Sequence, residues 1–280
     1  MPSRIFRDDL LEGQVVLVTG GGTGIGAAIA RELGHLGATV HIASRKASNI
    51  EPAAAGLSEE LGRPVIGHTL DIRDRDSARA CVDAILQRDD ALDILINNAG
   101  GQFMSPAEAI TPRGWDAVVQ TNLTGTWNVT RAAADAVMLS RGGRIVNITM
   151  LAKRTFPGMS HSVASRAGVE ALTRTLAVEW AKKGITLNCV APGLIASSGL
   201  KRYPIGLEAI NEFARHVPMK RFGSMQDVAW AVAWLVSEAG NYVTGQVITV
   251  DGGKELWGDW WPIPDPDPLP PLVIPTDPWE

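Results

Sequence analysis

The residues best suited to chemistry lie in VLVTGGGTGIG, Val16 to Gly26. Glycines at 20, 21, 22, 24 and 26 are separated only by Thr23 and Ile25. An apolar, β-branched run, Val15 to Thr19, precedes them, and AAIARELGHLG follows with the apolar spacing of an amphipathic helix. A strand that turns through glycine into a helix presents free N–H groups and the positive end of the helix dipole, so it attracts an anion. Glycine also lets the main chain turn tightly and come close to a pyrophosphate. The spacing is TGxxxGxG, with Gly20, Gly24 and Gly26 in the three structural roles. The stretch Gly20, Gly22, Thr23, Gly24, Ile25 and Gly26 is the expected cofactor-binding turn. A glycine motif alone is a weak signal, and a turn with no ligand is the plain alternative.

The next apolar strand, Thr39–Ala43, ends in Ser44-Arg45-Lys46. In an NAD site an acidic residue at this place holds the adenosine ribose hydroxyls. A hydroxyl and two cations suit a 2′-phosphate instead, so NADP(H) is the expected cofactor; a solvated basic turn is the alternative. Asp71 and Ile72 close a third strand. Asp71 could accept a hydrogen bond from the adenine amino group or cap the helix that follows. Asn98, Ala99 and Gly100 come after a fourth strand, where the chain must pass the cofactor; the asparagines there could serve the sheet edge as well as the ligand.

These residues need a scaffold, and the pattern supplies one. Strands are expected at Val15–Thr19, Thr39–Ala43, Val65–Leu70, Asp93–Ile96, Arg144–Ile148, Ile185–Val190 and Gln246–Val250. Helices are expected at Pro52–Leu61, Asp74–Gln87, about Pro112 to Met138, Val163–Ala181 and Gln226–Ser237. Repeated βα alternation predicts an α/β fold, a Rossmann-type doubly wound parallel sheet with helices on both faces and ligands at the carboxyl ends of the strands. The 280 residues suffice for one large domain, residues 1–254, with a sizeable core. A net charge of −4 points away from nucleic acid and anionic membranes. Cys81 and Cys189 sit in apolar runs and read as buried thiols. The first residues hold no apolar leader, no stretch is long enough to span a bilayer, and the last residues are not a peroxisomal address, so a cytoplasmic protein is expected.

TGGGTGIG, NNAG, TNLTG, GRIVNI, NCVAPG and ITVDGG, in this order over residues 12–254, resemble the short-chain dehydrogenase/reductase family. The resemblance implies a seven-stranded Rossmann-type sheet, a nicotinamide cofactor and a homotetramer or homodimer. It extends the cofactor-binding set to Pro192, Gly193 and Ile195. The family's catalytic residues are Asn, Ser, Tyr and Lys, with Tyr-x-x-x-Lys on one helix face. Asn122 of TNLTG matches the asparagine. Aligning AGVEALTR puts Ser162 at the tyrosine and Arg166 at the lysine, and the serine position falls on Thr149 or Met150. The two tyrosines, Tyr203 and Tyr242, lie elsewhere.

These departures change the expected chemistry. A serine hydroxyl is a poor acid or base without a neighbouring general base, and arginine has no accessible neutral form to supply one. Arginine can still anchor ribose hydroxyls. A serine can donate a hydrogen bond to an oxyanion, such as the enolate formed when hydride adds to an activated C=C bond. A serine in place of the tyrosine resembles the Ser-x-x-x-Lys of the 2,4-dienoyl-CoA reductases, and NNAGGQFMSPAE with HSVASRAGVEALTRTLAVEW looks closest to the peroxisomal trans-2-enoyl-CoA reductases, which are NADPH-dependent and carry an arginine where this chain has Arg166. The expected function is therefore reduction of an enoyl- or dienoyl-CoA thioester. A carbonyl reductase, or a cofactor-binding subunit without turnover, are the alternatives. His161 could protonate the α carbon or serve structure. Lys153 flanks the site, and Lys201 and Arg202 fall in a long loop that suits a lid.

Beyond Lys254 the character changes. WGDWWPIPDPDPLPPLVIPTDPWE holds eight prolines and four of the nine tryptophans, which favours extended polyproline geometry. Residues 255–280 read as an arm. It crosses a neighbouring subunit or covers a site, with Trp260 and Trp261 in a subunit contact, or it wraps its own subunit.

Overall fold

The computed structural model describes residues 5–152, 156–197, 199–200, 210, 212–258, 261–268 and 270–274. Nine strands run in chain order among them: β1 (Val15–Thr19), β2 (Thr39–Ser44), β3 (Val65–Thr69), β4 (Ile94–Asn97), β5 (Gly143–Ile148), β6 (Ile185–Pro192), β7 (Ile195–Ala196), β8 (Gly223–Ser224) and β9 (Val247–Val250). Seven form one parallel sheet in the order β3-β2-β1-β4-β5-β6-β9, and β7 pairs with β8. The order reverses between β1 and β4. Chains leave these neighbouring strands toward opposite sides, which opens a crevice at their carboxyl ends.

Alternation along each strand builds both faces. From β1, Val16 and Val18 enter one core with Ile29 and Leu33 of α1 (Gly24–His35) and Ile50 and Leu57 of α2 (Ala47–Leu61). Val15 and Leu17 enter the other with Val82 and Ile85 of α3 (Arg75–Asp89). A continuous helical run then joins α4 (Pro112–Val119), α5 (Gly125–Ala133) and α6 (Leu139–Arg141) through π turns at Gln120–Thr124 and Ala134–Met138. The long α7 (Ser160–Trp180) contributes Leu176 and Trp180 to the second core. α8 (Met225–Val236) returns to the first, where the Gln226 amide meets the buried Glu32 of α1 at 2.6 Å.

Two expectations are corrected. α2 starts at Ala47, five residues before Pro52, because the buried stripe Ile50, Ala53, Ala54, Leu57 has helical spacing and packing overrides the proline. Asp71 does not cap the next helix. Asp74 does, with its carboxylate accepting from Asp76 N and Ser77 N.

The Pro/Trp-rich arm folds back on its own chain in its described parts. Trp257 Nε1 donates to Trp261 O at 3.0 Å, and Leu272 packs against Ile210, Ala214 and Phe222. Trp261 is exposed, and Trp260 lies outside the described residues.

A polar chain is buried between β2, β3 and α3. His41, fully buried, meets Asp89 Oδ2 through Nε2 and His68 Nε2 through Nδ1, both at 2.8 Å. Burial, then the neighbouring His68, pushes the His41 pKa down from 6.5 to about 4, and burial lowers His68 as well. The unfolded chain protonates His41 near 6.5, the folded chain near 4, so unfolding takes up a proton between these values. Stability therefore falls as pH drops through that window, by up to roughly 3 kcal/mol. Urea midpoints measured from pH 7 to 4 should show this slope, and His41→Gln should flatten it.

Candidate active site

The carboxyl ends of β1, β2, β4, β5 and β6 open into a cavity of about 1620 Å³. Its floor is the glycine turn. Gly20 and Gly24 adopt φ of +66° and +58°, where other residues are strained. A Cβ on Gly26 would collide with the Gly20 carbonyl and the Asn98 amide, so α1 can start this close to β1 only with glycine there. Thr23, at the helix start, makes no side-chain cap, and the first turn holds no acid. Gly24 has open space where a side chain would be. Gly20, Thr23, Gly24, Ile25 and Gly26 all line the cavity. Gly22 does not: it faces Ile50 and Ala53 of α2.

Asn98 fastens this turn to the end of β4. Its Nδ2 donates to Thr19 O at 3.0 Å and Gly20 O at 3.2 Å, while Thr19 Oγ1 accepts from the N–H groups of Asn98 and Ala99 at 3.1 Å. Asn98 thus serves the sheet edge while it lines the cavity with Ala99 and Gly100. Ser44, Arg45, Lys46, Asp71 and Ile72 line the adjoining part, and Pro192, Gly193 and Ile195 the far wall. The Asp71 carboxylate is held by Arg73, with Nε at 2.9 Å and Nη2 at 2.5 Å, which keeps it below the usual carboxylate range. Arg73 also lines the cavity, and nothing in its sequence context marked it.

The residues aligned with the family's catalytic set divide into two layers. Arg166 lies in the cavity wall yet is buried, with 8% of its surface exposed, and its Nη1 donates to Ile148 O at 2.8 Å. Among the described residues no carboxylate pairs with it. Burial lowers its pKa to about 10, so it remains a cation at neutral pH. A Cβ on Gly100 would strike this guanidinium, which explains glycine there. Thr149 also lines the cavity, its Oγ1 3.4 Å from Val190 O.

Ser162 stands behind that wall. Its Oγ donates to Gln102 Oε1 at 2.9 Å and lies 3.4 Å from Met150 Sδ; Gln102 and Met150 line the cavity, whereas Ser162 is fully buried beneath them. A serine side chain is too short to reach past these two. The position aligned with the family's tyrosine therefore meets the cavity lining at a glutamine that sequence reasoning missed, although GQFMSP directly follows the NNAG turn. Asn122 is one layer back as well. From the π turn its Oδ1 accepts from Gly101 N at 2.9 Å and its Nδ2 donates to Gly101 O at 3.0 Å, so it positions the loop that carries Gln102. His161 is fully buried, accepts from Ser162 N through Nδ1, meets the Phe103 ring edge-on at 4.3 Å and does not line the cavity. Tyr242 is fully exposed, and Lys153, Lys201, Arg202 and Tyr203 lie outside the described residues. Phe103, Met104, Phe156, Met159 and Phe213 give the substrate half an apolar wall.

A parallel sheet reversing at a glycine turn, with this asparagine loop and this helix beside it, defines a dinucleotide-dependent oxidoreductase of the short-chain dehydrogenase/reductase family, to which the chain belongs. The matching family model, described as enoyl-(acyl carrier protein) reductase, spans residues 20–255. A peroxisomal 2,4-dienoyl-CoA reductase of Danio rerio is 38% identical over 256 residues, 91% of this chain and 85% of that protein. A 3-oxoacyl-[acyl-carrier-protein] reductase of Thermotoga maritima is 36% identical over 245 residues, 87% of this chain and 98% of that one. Among solved structures, the citronellol catabolism dehydrogenase of Pseudomonas aeruginosa PAO1 superposes with a TM-score of 0.81 at 39% identity, covering 90% of this chain and 98% of that one. The family implies a nicotinamide nucleotide cofactor, and the residues present suit one: open space at Gly24, a helix start with no side-chain cap and a buried cation in the wall of the same cavity.

Gly26→Ala should force the Gly20 carbonyl and Asn98 apart. A loss of about 1–3 kcal/mol in urea unfolding is expected, together with loss of nucleotide binding by calorimetry.

Proposed function

We propose that the protein is an NADPH-dependent reductase of the activated C=C bond of an enoyl- or dienoyl-CoA thioester. The observation that carries this reading is the Ser162–Gln102 hydrogen bond beside the buried Arg166. Oxidising an alcohol, or protonating an alkoxide, calls for a group that titrates near neutral pH at the reacting oxygen. Among the described residues no tyrosine, histidine or lysine occupies the place of the family's tyrosine. Reduction of an enoyl thioester needs less. The reduced nicotinamide, when bound, supplies a hydride to the β carbon. Negative charge then builds on the thioester oxygen, a hydrogen-bond donor there lowers the barrier, and a proton taken up from water at carbon collapses the enolate to the reduced thioester. Ser162 Oγ–H holds Gln102 Oε1 and so orients the amide with its donor nitrogen on the other edge. Gln102 is the donor to the oxygen in this reading, and Ser162 positions it. Arg166 anchors the nicotinamide ribose, and Thr149 offers a second hydroxyl in the wall.

Arg45 and Lys46 beside Ser44 support the 2′-phosphate and hence NADPH, with Arg73 holding Asp71 off as a competing negative charge. The zebrafish relative, named a 2,4-dienoyl-CoA reductase, supports the substrate class. The Thermotoga relative, named a 3-oxoacyl reductase, favours a carbonyl reductase as the second reading. Cys81 and Cys189, buried free thiols whose pKa is pushed up to about 12 by burial, support a reducing cytoplasmic setting. Among the described residues no helix is long and apolar enough to cross a membrane. A homo-oligomer completes the proposal.

Gln102→Leu should lower kcat on an enoyl-CoA about a hundredfold, as for removal of an oxyanion donor. Ser162→Ala should lower it about tenfold, since it removes one tie on the glutamine without deleting the amide. Neither should shift the NADPH Kd by more than about twofold. Normal kcat in both variants contradicts the assignment.

Arg45→Asp should weaken NADPH binding by about 2–3 kcal/mol and leave NADH nearly unchanged. Tighter binding of NADH than NADPH by the unmodified protein contradicts the cofactor reading.

A further inference from the structure

The family match ends at residue 255, and the arm beyond it makes a set of contacts that the catalytic site does not use. Asp265 of the arm is held by two cations: Arg215 through Nη1, and Lys220, whose Nζ stands 2.9 Å from Oδ1. Lys220 is 7% exposed, donates to Arg215 O at 2.7 Å and lies over the Trp257 ring at 4.8 Å from its centre. One ammonium therefore joins a carboxylate and an indole of the arm to the main chain of a short helical turn, Phe213–His216. Farther along, Leu272 covers the small apolar cluster of Ile210, Ala214 and Phe222. The turn has a second face: Phe213 and His216 line the cavity, as does the nearby Ile210. A short turn of this kind is fixed by what packs against it, here the small cluster that Leu272 of the arm covers.

We propose that Asp265 is a positioning residue for the acyl substrate: through Arg215 and Lys220 it ties the arm across the back of the Phe213–His216 turn and fixes the cavity wall on the other side. The claim about the cavity rests on the reading of that cavity as an acyl-thioester site. The claim about the tie stands without it. Because Asp265 touches neither cofactor nor reacting atoms, its loss should be felt in substrate binding and not in the chemical step.

Two readouts on the full-length protein test this. Hydrogen exchange followed by mass spectrometry reports the 212–222 segment directly. In Asp265→Asn that segment should exchange at least about fivefold faster while the parallel sheet is unchanged, and Asp265→Glu should restore protection. In steady-state assays with NADPH and an enoyl-CoA, Asp265→Asn should raise KM about five- to tenfold with kcat within about twofold and the NADPH Kd unchanged, again restored by Asp265→Glu. Unchanged exchange in Asp265→Asn overturns the tie whatever the substrate is. Faster exchange with an unchanged KM overturns the link to the cavity. If the unmodified protein reduces no acyl thioester, the functional reading fails while the exchange result still decides the tie.

Discussion

The site depends on a close crossing of main chain at Gly20, Gly26 and Asn98. β1 and β4 are neighbours in the sheet, and the chain leaves them in different directions. The start of α1 must therefore pass close to the strand that precedes it. Glycine at 26 permits the distance, and the amide of Asn98, with the hydroxyl of Thr19, satisfies the carbonyl and N–H groups that the divergence leaves without ladder partners. The same crossing aims the N–H groups at the start of α1, and the loop carrying Gly100 and Gln102, into one cavity. Cofactor end and substrate end are thus set by one local constraint.

The second constraint is electrostatic. A guanidinium buried with a single described main-chain acceptor is expensive, because charge removed from water is repaid only by partners. Arg166 sits at the cavity wall, where the ribose contact proposed above would supply those partners. Stability is given up at the position where binding benefits, and Gly100 is held small to leave the room. Ser162 with Gln102 is a neutral pair, and its hydrogen bond carries no comparable desolvation cost. A pre-oriented dipole is what a developing enolate charge requires, and it remains in place through the reaction.

Much of this was legible in the residues. Strand and helix positions followed from apolar spacing, because both faces of the sheet are covered and each strand had to be apolar along its length. The glycine turn was legible because few residue types tolerate its positive φ angles and close approach. What escaped depends on side-chain reach. Serine at 162 aligned with a reacting group, yet its length leaves it behind Gln102. Asn122 was matched to the family's asparagine, and its two bonds to Gly101 follow from the π turn, which the sequence does not announce. Gly22 belonged to the motif but turns toward α2. The start of α2 was hidden by Pro52, although Ile50 already belonged to its buried stripe. The tie made by Asp265 joins residues fifty apart in sequence, and no local pattern announces it.

The central claim is that the Ser162–Gln102 pair and Arg166 serve reduction of C=C and not of C=O. The most direct measurement is kcat/KM with NADPH for matched thioesters of one chain length: a trans-2-enoyl-CoA, a 2,4-dienoyl-CoA and a 3-oxoacyl-CoA, with products identified by mass spectrometry. The account predicts that one of the two unsaturated substrates is reduced at least about a hundredfold more efficiently than the ketone, a preference of about 2.7 kcal/mol in transition-state binding. Preferred reduction of the 3-oxoacyl thioester to its hydroxyl product would contradict it.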